Sequence, residues 1–252
     1  AMPTDFKMGS TNAFSTLPKG INCERCHGPG EAHVAKIMRG EITDTSTEAD
    51  YSIVNPKRLS AQLQFELCQR CHLQGNSVLQ EGESFFDFKP GMELKEVMDV
   101  YLARYQGAED DFIMASHADR FKASACYQSA PEAFTCTSCH NPHVSVKETN
   151  LQRFNNSCQS CHQGAPTFEC TAEKTALIEA SYNCVSCHMP PSSAIDIPHV
   201  TVHDHWIRKP RAQEIVESDL VQKQFLELKA INNPKPSARS KALAGPCASK
   251  MV

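Results

Sequence analysis

Five short strings in this chain place two cysteines and a histidine at one fixed spacing, Cys-x-x-Cys-His. Two thiols three residues apart can add across the vinyl groups of one porphyrin, which leaves the adjoining imidazole beside the iron. The strings therefore predict five covalently bound haem c groups, numbered 1 to 5 along the chain. The predicted attachment cysteines are Cys23, Cys26, Cys68, Cys71, Cys136, Cys139, Cys158, Cys161, Cys184 and Cys187. The predicted proximal iron ligands are His27, His72, His140, His162 and His188.

Zinc is the competing interpretation, because the pairs at 136–139 and 158–161 also have the spacing of a zinc ribbon. A ribbon uses such pairs two at a time and needs no histidine directly after each second cysteine. Histidine makes up 11 of 252 residues. Five chance occurrences after five pairs would have a probability on the order of 10^-7. Haem c is therefore the favoured interpretation.

The composition fits a chain organised by cofactors rather than by a large core of side chains. Aromatic residues are 7% of the chain and the mean hydropathy is −0.41, so porphyrin rings would supply much of the apolar surface. The polypeptide charge of −4 becomes about −9 with five haems of about −1 each. No basic stripe precedes the last forty or so residues, so nucleic acid is not an expected partner.

Haem c is attached outside the cytoplasm, so we expect a periplasmic or extracellular protein. The sequence contains neither a hydrophobic leader nor an apolar run long enough to span a bilayer. We expect that a leader has been removed or that the chain is part of a larger protein, and that any membrane anchor lies outside it.

We expect a mainly α-helical fold with long loops and little or no sheet, organised around the five haems. Residues 1–110 would hold haems 1 and 2 with a connecting helix. Residues 111–210 would hold haems 3 to 5 with a segment of distal ligands, and residues 211–252 would form a C-terminal helix and a tail.

An apolar pattern at i, i+3, i+4 and i+7 predicts the connecting helix. Its residues are Leu94, Val97, Met98, Tyr101, Leu102 and Tyr105. Two further helices are predicted over about 110–127 and 212–230, the last ending before Pro234. The stretch 234–252 is predicted to be a linker or tail.

Six further histidines are enough to give each of five irons a second imidazole. They are His33, His117, His143, His199, His203 and His205. A short helix between Pro29 and Gly40 is predicted to carry His33. The link from His140 to His143 is too short to reach the same iron, so His143 must serve a neighbouring haem.

The last three of these histidines lie close together, and in an extended segment they would share one face. We favour His199 and His205 as ligands, with His203 as the spare. Asp204 between them can either orient a neighbouring imidazole or remain solvated. On the predicted helix, His117 precedes Phe121 by one turn and is expected to be a ligand.

Three cysteines lie outside the strings: Cys126, Cys170 and Cys247. In an oxidising compartment we expect Cys126 to pair with Cys170, because both flank the region of haems 3 and 4. A reactive thiol beside an open haem is the alternative.

Several strings resemble the multihaem cytochromes c related to the tetrahaem cytochrome of ammonia oxidisers, including bacterial versions fused to tetratricopeptide repeats. The resemblance covers about residues 20–210 and is carried by Cys23–His33, Cys68–Gly75, Asp87–Met92, Cys136–His143 and Cys187–Pro190. It implies distal ligation by His33 and His143.

The segments Asp196–His199 and Asp204–Arg208 resemble the closing element of this family, which implies His199 and His205 as ligands rather than His203. The related cytochrome c nitrite reductases carry a lysine in place of one motif histidine. No Cys-x-x-Cys-Lys occurs here, so that chemistry is not implied.

Two classes of function fit these residues. The first is an electron relay between redox partner proteins, which include other multihaem cytochromes or a larger membrane-associated complex, with bis-histidine irons and no catalytic residue. The second is an oxidoreductase of small nitrogen or sulfur compounds at one open five-coordinate haem, with His203, Lys122 or Arg120 as acid or base. A docking module would leave five redox centres unexplained, so we favour the relay.

The attachment sites make a direct prediction for the purified protein. It should contain five irons per chain and show the α-band of haem c when reduced, because each string binds one porphyrin covalently. Iron analysis and the optical spectrum measure this. A colourless protein with the mass of the bare polypeptide would contradict it.

Overall fold

The computed structural model describes residues 21–107, 115–162, 170, 172–194, 197, 199–210 and 224–248. The α-helices are α1 (Glu24–His27), α2 (Glu31–Met38), α3 (Ala61–His72), α4 (His117–Lys122), α5 (Ala125–Ser129), α6 (Leu151–His162), α7 (Lys174–Glu179), α8 (Cys184–His188) and α9 (Ala238–Ala248). The strands are β1 (Asn76–Leu79), β2 (Met98–Tyr105), β3 (Pro191–Ser193), β4 (Thr201–His203) and β5 (Phe225–Ala230). Single 3₁₀ turns lie at Pro56–Arg58, Leu94–Glu96, Pro131–Ala133, Cys136–Ser138 and Val146–Glu148.

An antiparallel sheet in the order β1-β2-β5 forms the most buried part of the protein. Tyr101 of β2 lies opposite both Asn76 of β1 and Ala230 of β5. Just after β5, the side chain of Asn232 accepts a hydrogen bond from Val100 N at 2.8 Å and donates one to the carbonyl oxygen of Met98 at 2.9 Å. The backbone polar groups of the central strand are thereby satisfied.

The prediction of a connecting helix over Leu94–Tyr105 is wrong. A 3₁₀ turn at Leu94–Glu96 leads into strand β2, whose residues 98–102 are all buried. An apolar run that is buried on both faces carries no clear period, so it fits a central strand as well as a helix. The choice is decided by β1 and β5, which supply hydrogen-bond partners on both edges of β2. The expectation of little or no sheet is corrected accordingly.

The prediction for the C-terminal region also needs correction. Residues 225–230 of the predicted third helix form strand β5, and residues 211–223 lie outside the described part of the chain. The predicted tail contains α9, which packs on the sheet with Ala244 fully buried. Ser240 of α9 donates a hydrogen bond to Asp99 and shares one with the Tyr101 hydroxyl at 2.9 Å.

The predicted helix over about 110–127 is two short helices in its described part. Ser124 separates α4 from α5 in an extended conformation, with φ −68° and ψ 137°. Residues 108–114 lie outside the described part of the chain. The short helix between Pro29 and Gly40 is confirmed as α2, and Gly40 ends it with a φ of 77°.

Side chains alone build only a small core. The main cluster of buried residues includes Phe65, Leu94, Met98 and Val100 and joins α3 to the sheet. Among the described residues, 16 large apolar side chains remain exposed against 12 buried apolar ones. Within the same residues, the helices are all too short or too polar to cross a membrane.

The close approach of Gly75 to the central strand predicts a strong effect of substitution. A Cβ at Gly75 would lie 2.5 Å from the carbonyl oxygen of Tyr101 and 2.9 Å from a methyl of Val100. We expect Gly75→Ala to lower the free energy of unfolding by about 1–3 kcal/mol, because backbone and core must shift. Unfolding of the haem-loaded protein in guanidinium chloride measures this.

Gly245 of α9 is the matched control, because a Cβ there meets nothing within 4 Å. We expect Gly245→Ala to be neutral or stabilising by up to about 1 kcal/mol, since alanine favours a helix. Equal stability of the two variants would contradict the packing described for Gly75.

Candidate haem-binding site

Each Cys-x-x-Cys-His string folds as one helical turn. The strings form α1, the last turns of α3 and α6, the 3₁₀ turn at Cys136–Ser138 and helix α8. Residues three apart in a helix lie on one face, so the two thiols of each string point the same way. This arrangement presents both sulfurs to one planar group, with the histidine at the end of the turn.

The structure brings His27 of the first string together with His143. Their ring centroids are 6.0 Å apart and their planes differ by 15°. Two metal–nitrogen bonds of about 2 Å, added to the ring radii, separate the centroids of two imidazoles on one metal by about 6 Å. The pair therefore has the spacing of two axial ligands. That His143 serves a haem other than its neighbour in sequence stays a prediction.

Two further pairs have a similar spacing. The ring centroids of His72 and His117 are 5.7 Å apart, and those of His140 and His205 are 6.1 Å apart. The second and third strings therefore each lie opposite a histidine that the sequence predicts to be a distal ligand. His117 and His205 also contact each other, with centroids 4.6 Å apart and planes at 80°.

Backbone carbonyls fix the orientation of several of these rings. His27 Nδ1 lies 2.8 Å from the oxygen of Val54, His188 Nδ1 lies 2.9 Å from that of Arg208, and His205 Nδ1 lies 2.9 Å from that of His203. A carbonyl oxygen only accepts, so Nδ1 carries the proton and donates. Nε2 is left with its lone pair, which is the form that binds a metal.

The environment also favours neutral imidazoles. Burial, followed by the proximity of His117, lowers the pKa of His205 to about 4. Burial and then the nearby His72 lower the pKa of both His117 and His140 below the usual histidine value. A histidine must be unprotonated to bind iron, so these shifts favour ligation at neutral pH.

His33 on α2 is oriented by a carboxylate. Its Nδ1 lies 3.2 Å from Oδ2 of Asp50 and 3.1 Å from the hydroxyl of Ser52. Hydrogen bonds from the Ser52 hydroxyl and amide, together with Lys36, hold the pKa of Asp50 below its usual value. A charged carboxylate bonded to Nδ1 is a common support for a metal-binding histidine.

The segment with His199, His203 and His205 is extended only in part. His203 ends strand β4, and its Nδ1 donates to the carbonyl oxygen of Met189 at 2.8 Å. His199 precedes the strand in the left-handed region with a φ of 62°, which a residue with a Cβ rarely adopts. The expectation that all three share one face of an extended segment is therefore wrong for His199.

Cysteines of neighbouring strings lie close together, beginning at the first three strings. Burial, followed by the proximity of Cys68 and Cys71, raises the pKa of Cys26 as a free thiol. A hydrogen bond to Cys136 is the main cause that raises the pKa of Cys68, followed by burial. The first string therefore adjoins the second, and the second adjoins the third.

The third, fourth and fifth strings continue this order. Burial, then the proximity of Cys184 and Cys139, raises the pKa of Cys158 to about 11, and Cys158 also shares a hydrogen bond with Cys184. Each string consequently lies beside the next one in the sequence.

The predicted disulfide between Cys126 and Cys170 is not formed, since both residues are free cysteines in the structure. Cys126 is half-buried and lies beside attachment cysteines instead. Burial is the main cause that raises its pKa, and Cys161 adds to the effect. The reason is that the fold places Cys126 against the third and fourth strings.

Several residues that position the histidines carry no recognisable signal in the sequence. Asp50 and Ser52 orient His33 from 17 and 19 residues away, and only the fold brings them together. From the sequence, two roles were open for Asp204, solvation or orientation of an imidazole. The structure shows a third: Asp204 is buried and its carboxylate is paired with Arg120. Among the described residues, no group of three or more His, Cys, Asp and Glu side chains is arranged to hold a bare metal ion.

Comparison with known proteins agrees with these features. The family model for the doubled CXXCH motif matches residues 130–167, which contain the third and fourth strings. The multiheme cytochrome MtrA of Shewanella baltica is 25% identical over 169 residues, which are 61% of this chain and 46% of that protein. These findings support a multihaem c-type cytochrome with doubled CXXCH motifs.

The match to MtrA has a limited extent, since the chain spans about half the length of that relative. No solved structure matches the chain at a significant level. The multihaem assignment therefore depends on the doubled motifs and the relative, and it includes covalently bound haem c as the cofactor.

The fold of this chain fits that cofactor. Large apolar side chains are left exposed close to the strings. Val34 and Ile37 lie on α2, which follows the first string in the sequence, and the ring of Phe86 lies 5.8 Å from the guanidinium of Arg25 in that string. Apolar groups in such numbers are normally covered in a folded protein. Porphyrin rings held at the strings would cover them and complete the small core.

The histidine geometry predicts which substitutions create an open iron. We expect His143→Ala and His33→Ala each to convert one iron from low-spin to high-spin, because each removes an axial imidazole. Electron paramagnetic resonance of the oxidised protein measures this. His203→Ala is the matched control and should leave every iron low-spin. A new high-spin signal in His203→Ala, or none in His143→Ala, would contradict the assignment.

Proposed function

We propose that this chain is a pentahaem cytochrome that relays electrons between redox partner proteins, with all five irons held by two histidines. The observation that carries the proposal is the arrangement of three proximal histidines opposite three other imidazoles at 5.7–6.1 Å between ring centroids. When bound, haem supplies an iron that alternates between the ferric and ferrous states and so holds one electron. An iron with two imidazoles has no open position for a substrate.

The proposed proximal ligands are the five motif histidines at 27, 72, 140, 162 and 188. His143 is the proposed distal ligand of haem 1, His117 that of haem 2 and His205 that of haem 3. For haems 4 and 5 we propose His33 and His199, without assigning which serves which. The hydrogen bonds of Nδ1 to Val54, to Arg208 and to Asp50 support this set, because they leave Nε2 to bind.

The order of the strings supports a relay rather than isolated centres. Neighbouring attachment cysteines lie together along the whole series, from the first string to the fifth. Haems attached in this way would form one continuous series, with haem 1 at one end and haem 5 at the other. Such a series passes single electrons over a distance that no single centre could span.

The proposed partners are redox proteins, including other multihaem cytochromes or a larger membrane-associated complex. Similarity to a multiheme cytochrome supports this choice. The proposed location is the periplasm or the extracellular space, where haem c is attached. The holo-protein charge of about −9 would favour partners with basic docking surfaces.

The alternative is an oxidoreductase of small nitrogen or sulfur compounds at one five-coordinate haem. One observation favours it: a cavity of about 360 Å³ lies between α3, α4 and the end of β5, lined by Glu66, Lys122 and Tyr127 among others. Burial raises the pKa of Glu66 and lowers that of Lys122, which brings both nearer to neutral pH. Of the proposed acid or base groups, however, Arg120 is paired with Asp204 and Lys122 donates to Gln69 at 2.8 Å.

Electron paramagnetic resonance distinguishes these functions. For a relay we expect only low-spin ferric signals in the oxidised protein, unchanged by added cyanide or nitrite, because every axial position is filled. A clean high-spin signal from one haem in five that shifts with either ligand would refute the relay and favour the oxidoreductase. Iron analysis of the same sample is the control for complete haem loading.

A further inference from the structure

A buried ion pair joins the segment that carries His205 to helix α4, which begins at His117. Arg120 of α4 donates from Nε to Oδ1 of Asp204 at 2.9 Å and from Nη2 to Oδ2. The two side chains are only 8% and 4% exposed. A two-point bond between a guanidinium and a carboxylate fixes orientation as well as distance.

The charges of this pair are maintained by their surroundings. Burial alone would raise the pKa of Asp204, but hydrogen bonds from Arg120 and from the Trp206 amide hold it below its usual value. The guanidinium of Arg120 also lies 4.9 Å from the centre of the Trp206 ring. An unpaired buried charge strongly destabilises the folded state, so the two side chains remain paired.

Ser124 fastens the same segment on the far side of His205. Its hydroxyl donates to the carbonyl oxygen of His205 at 3.0 Å and accepts from the amide of Ile207 at 2.9 Å. The segment is therefore bound to Arg120 through the Asp204 side chain just before His205, and to Ser124 through the backbone of His205 and Ile207. The imidazole has little freedom to move relative to His117.

The consequence is visible in the rings. His117 and His205 are 4.6 Å apart, while each lies about 6 Å from a different proximal histidine, His72 or His140. The contact between them thus joins the ligand pairs of the second and third strings.

We propose that Arg120 and Asp204, assisted by Ser124, are positioning residues that hold the distal histidines of haems 2 and 3 against each other. This inference rests on the proposed function, because it requires both histidines to be axial ligands. The two haems then act as one unit within the series: a movement of either ligand is transmitted to the other through the ring contact. If the ion pair contributed only to the stability of the fold, its removal would leave the ligand geometry of both haems unchanged.

Asp204→Asn tests the proposal, with Arg104→Gln as the matched control. Arg104 pairs with Asp119 of the same helix α4 at 3.0 Å, but both side chains are more exposed than those of Arg120 and Asp204. The measurement is the set of low-spin g-values in the oxidised, fully haem-loaded protein. Signals lost in His117→Ala and in His205→Ala identify haems 2 and 3.

We expect Asp204→Asn to shift the signals of haems 2 and 3 together and to leave the other three in place, whereas Arg104→Gln shifts none. Should Asp204→Asn fail to accumulate, Ser124→Ala decides, because it loosens the same segment without leaving a buried charge unpaired. Unchanged signals in either folded variant, or equal shifts in Arg104→Gln, would overturn the proposal. A wild-type protein in which haem 2 or 3 is high-spin would instead refute the bis-histidine function itself.

Discussion

In the proposed bis-histidine relay, the fixed distance between two imidazoles on one iron is the constraint on which the arrangement of this chain depends. It joins residues that lie far apart in the sequence, such as His27 with His143 and His140 with His205. Under the proposed ligation, each such pair would close a long loop, which few side-chain contacts in so small a core could do. The helices and the sheet are therefore best understood as supports that bring these rings to the required spacing.

The supports are mostly backbone groups and a few polar side chains. Carbonyl oxygens of Val54 and Arg208 orient two proximal histidines, and the Asp50 carboxylate orients His33. Backbone acceptors need no dedicated side chain, since a carbonyl is present at every residue. The sheet has a different role. Asn232 hydrogen-bonds to β2, helix α9 packs on the sheet, and α3 and the 3₁₀ turn before β2 pack against β2 in the main core.

Local features were readable from the sequence, and features set by distant partners were not. Helix α2 and the five strings follow from neighbouring residues; the structure confirms helix α2, and haem attachment at the five strings stays a prediction. The apolar run of β2 has a pattern that fits a helix as well as a buried strand. Its strand partner β5 lies about 120 residues further along the chain, so the local sequence does not reveal the pairing. The role of Asp204 was equally hidden, since its partner Arg120 is 84 residues away in the sequence. The ring of His205 lies near those of His117 and His140, and the choice of His205 over His203 as a ligand stays a prediction. The surroundings of Cys126 depend on the fold.

The contact between Cys68 and Cys136, and that between Cys158 and Cys184, bear on how this protein matures. In a chain that folded before it received its porphyrins, each of these thiol pairs would be placed to oxidise to a disulfide. One such cross-link would consume a sulfur from each of two strings and so block two attachments at once. Porphyrin addition before the final folding would avoid such a cross-link, because each thiol would already be bonded to its haem.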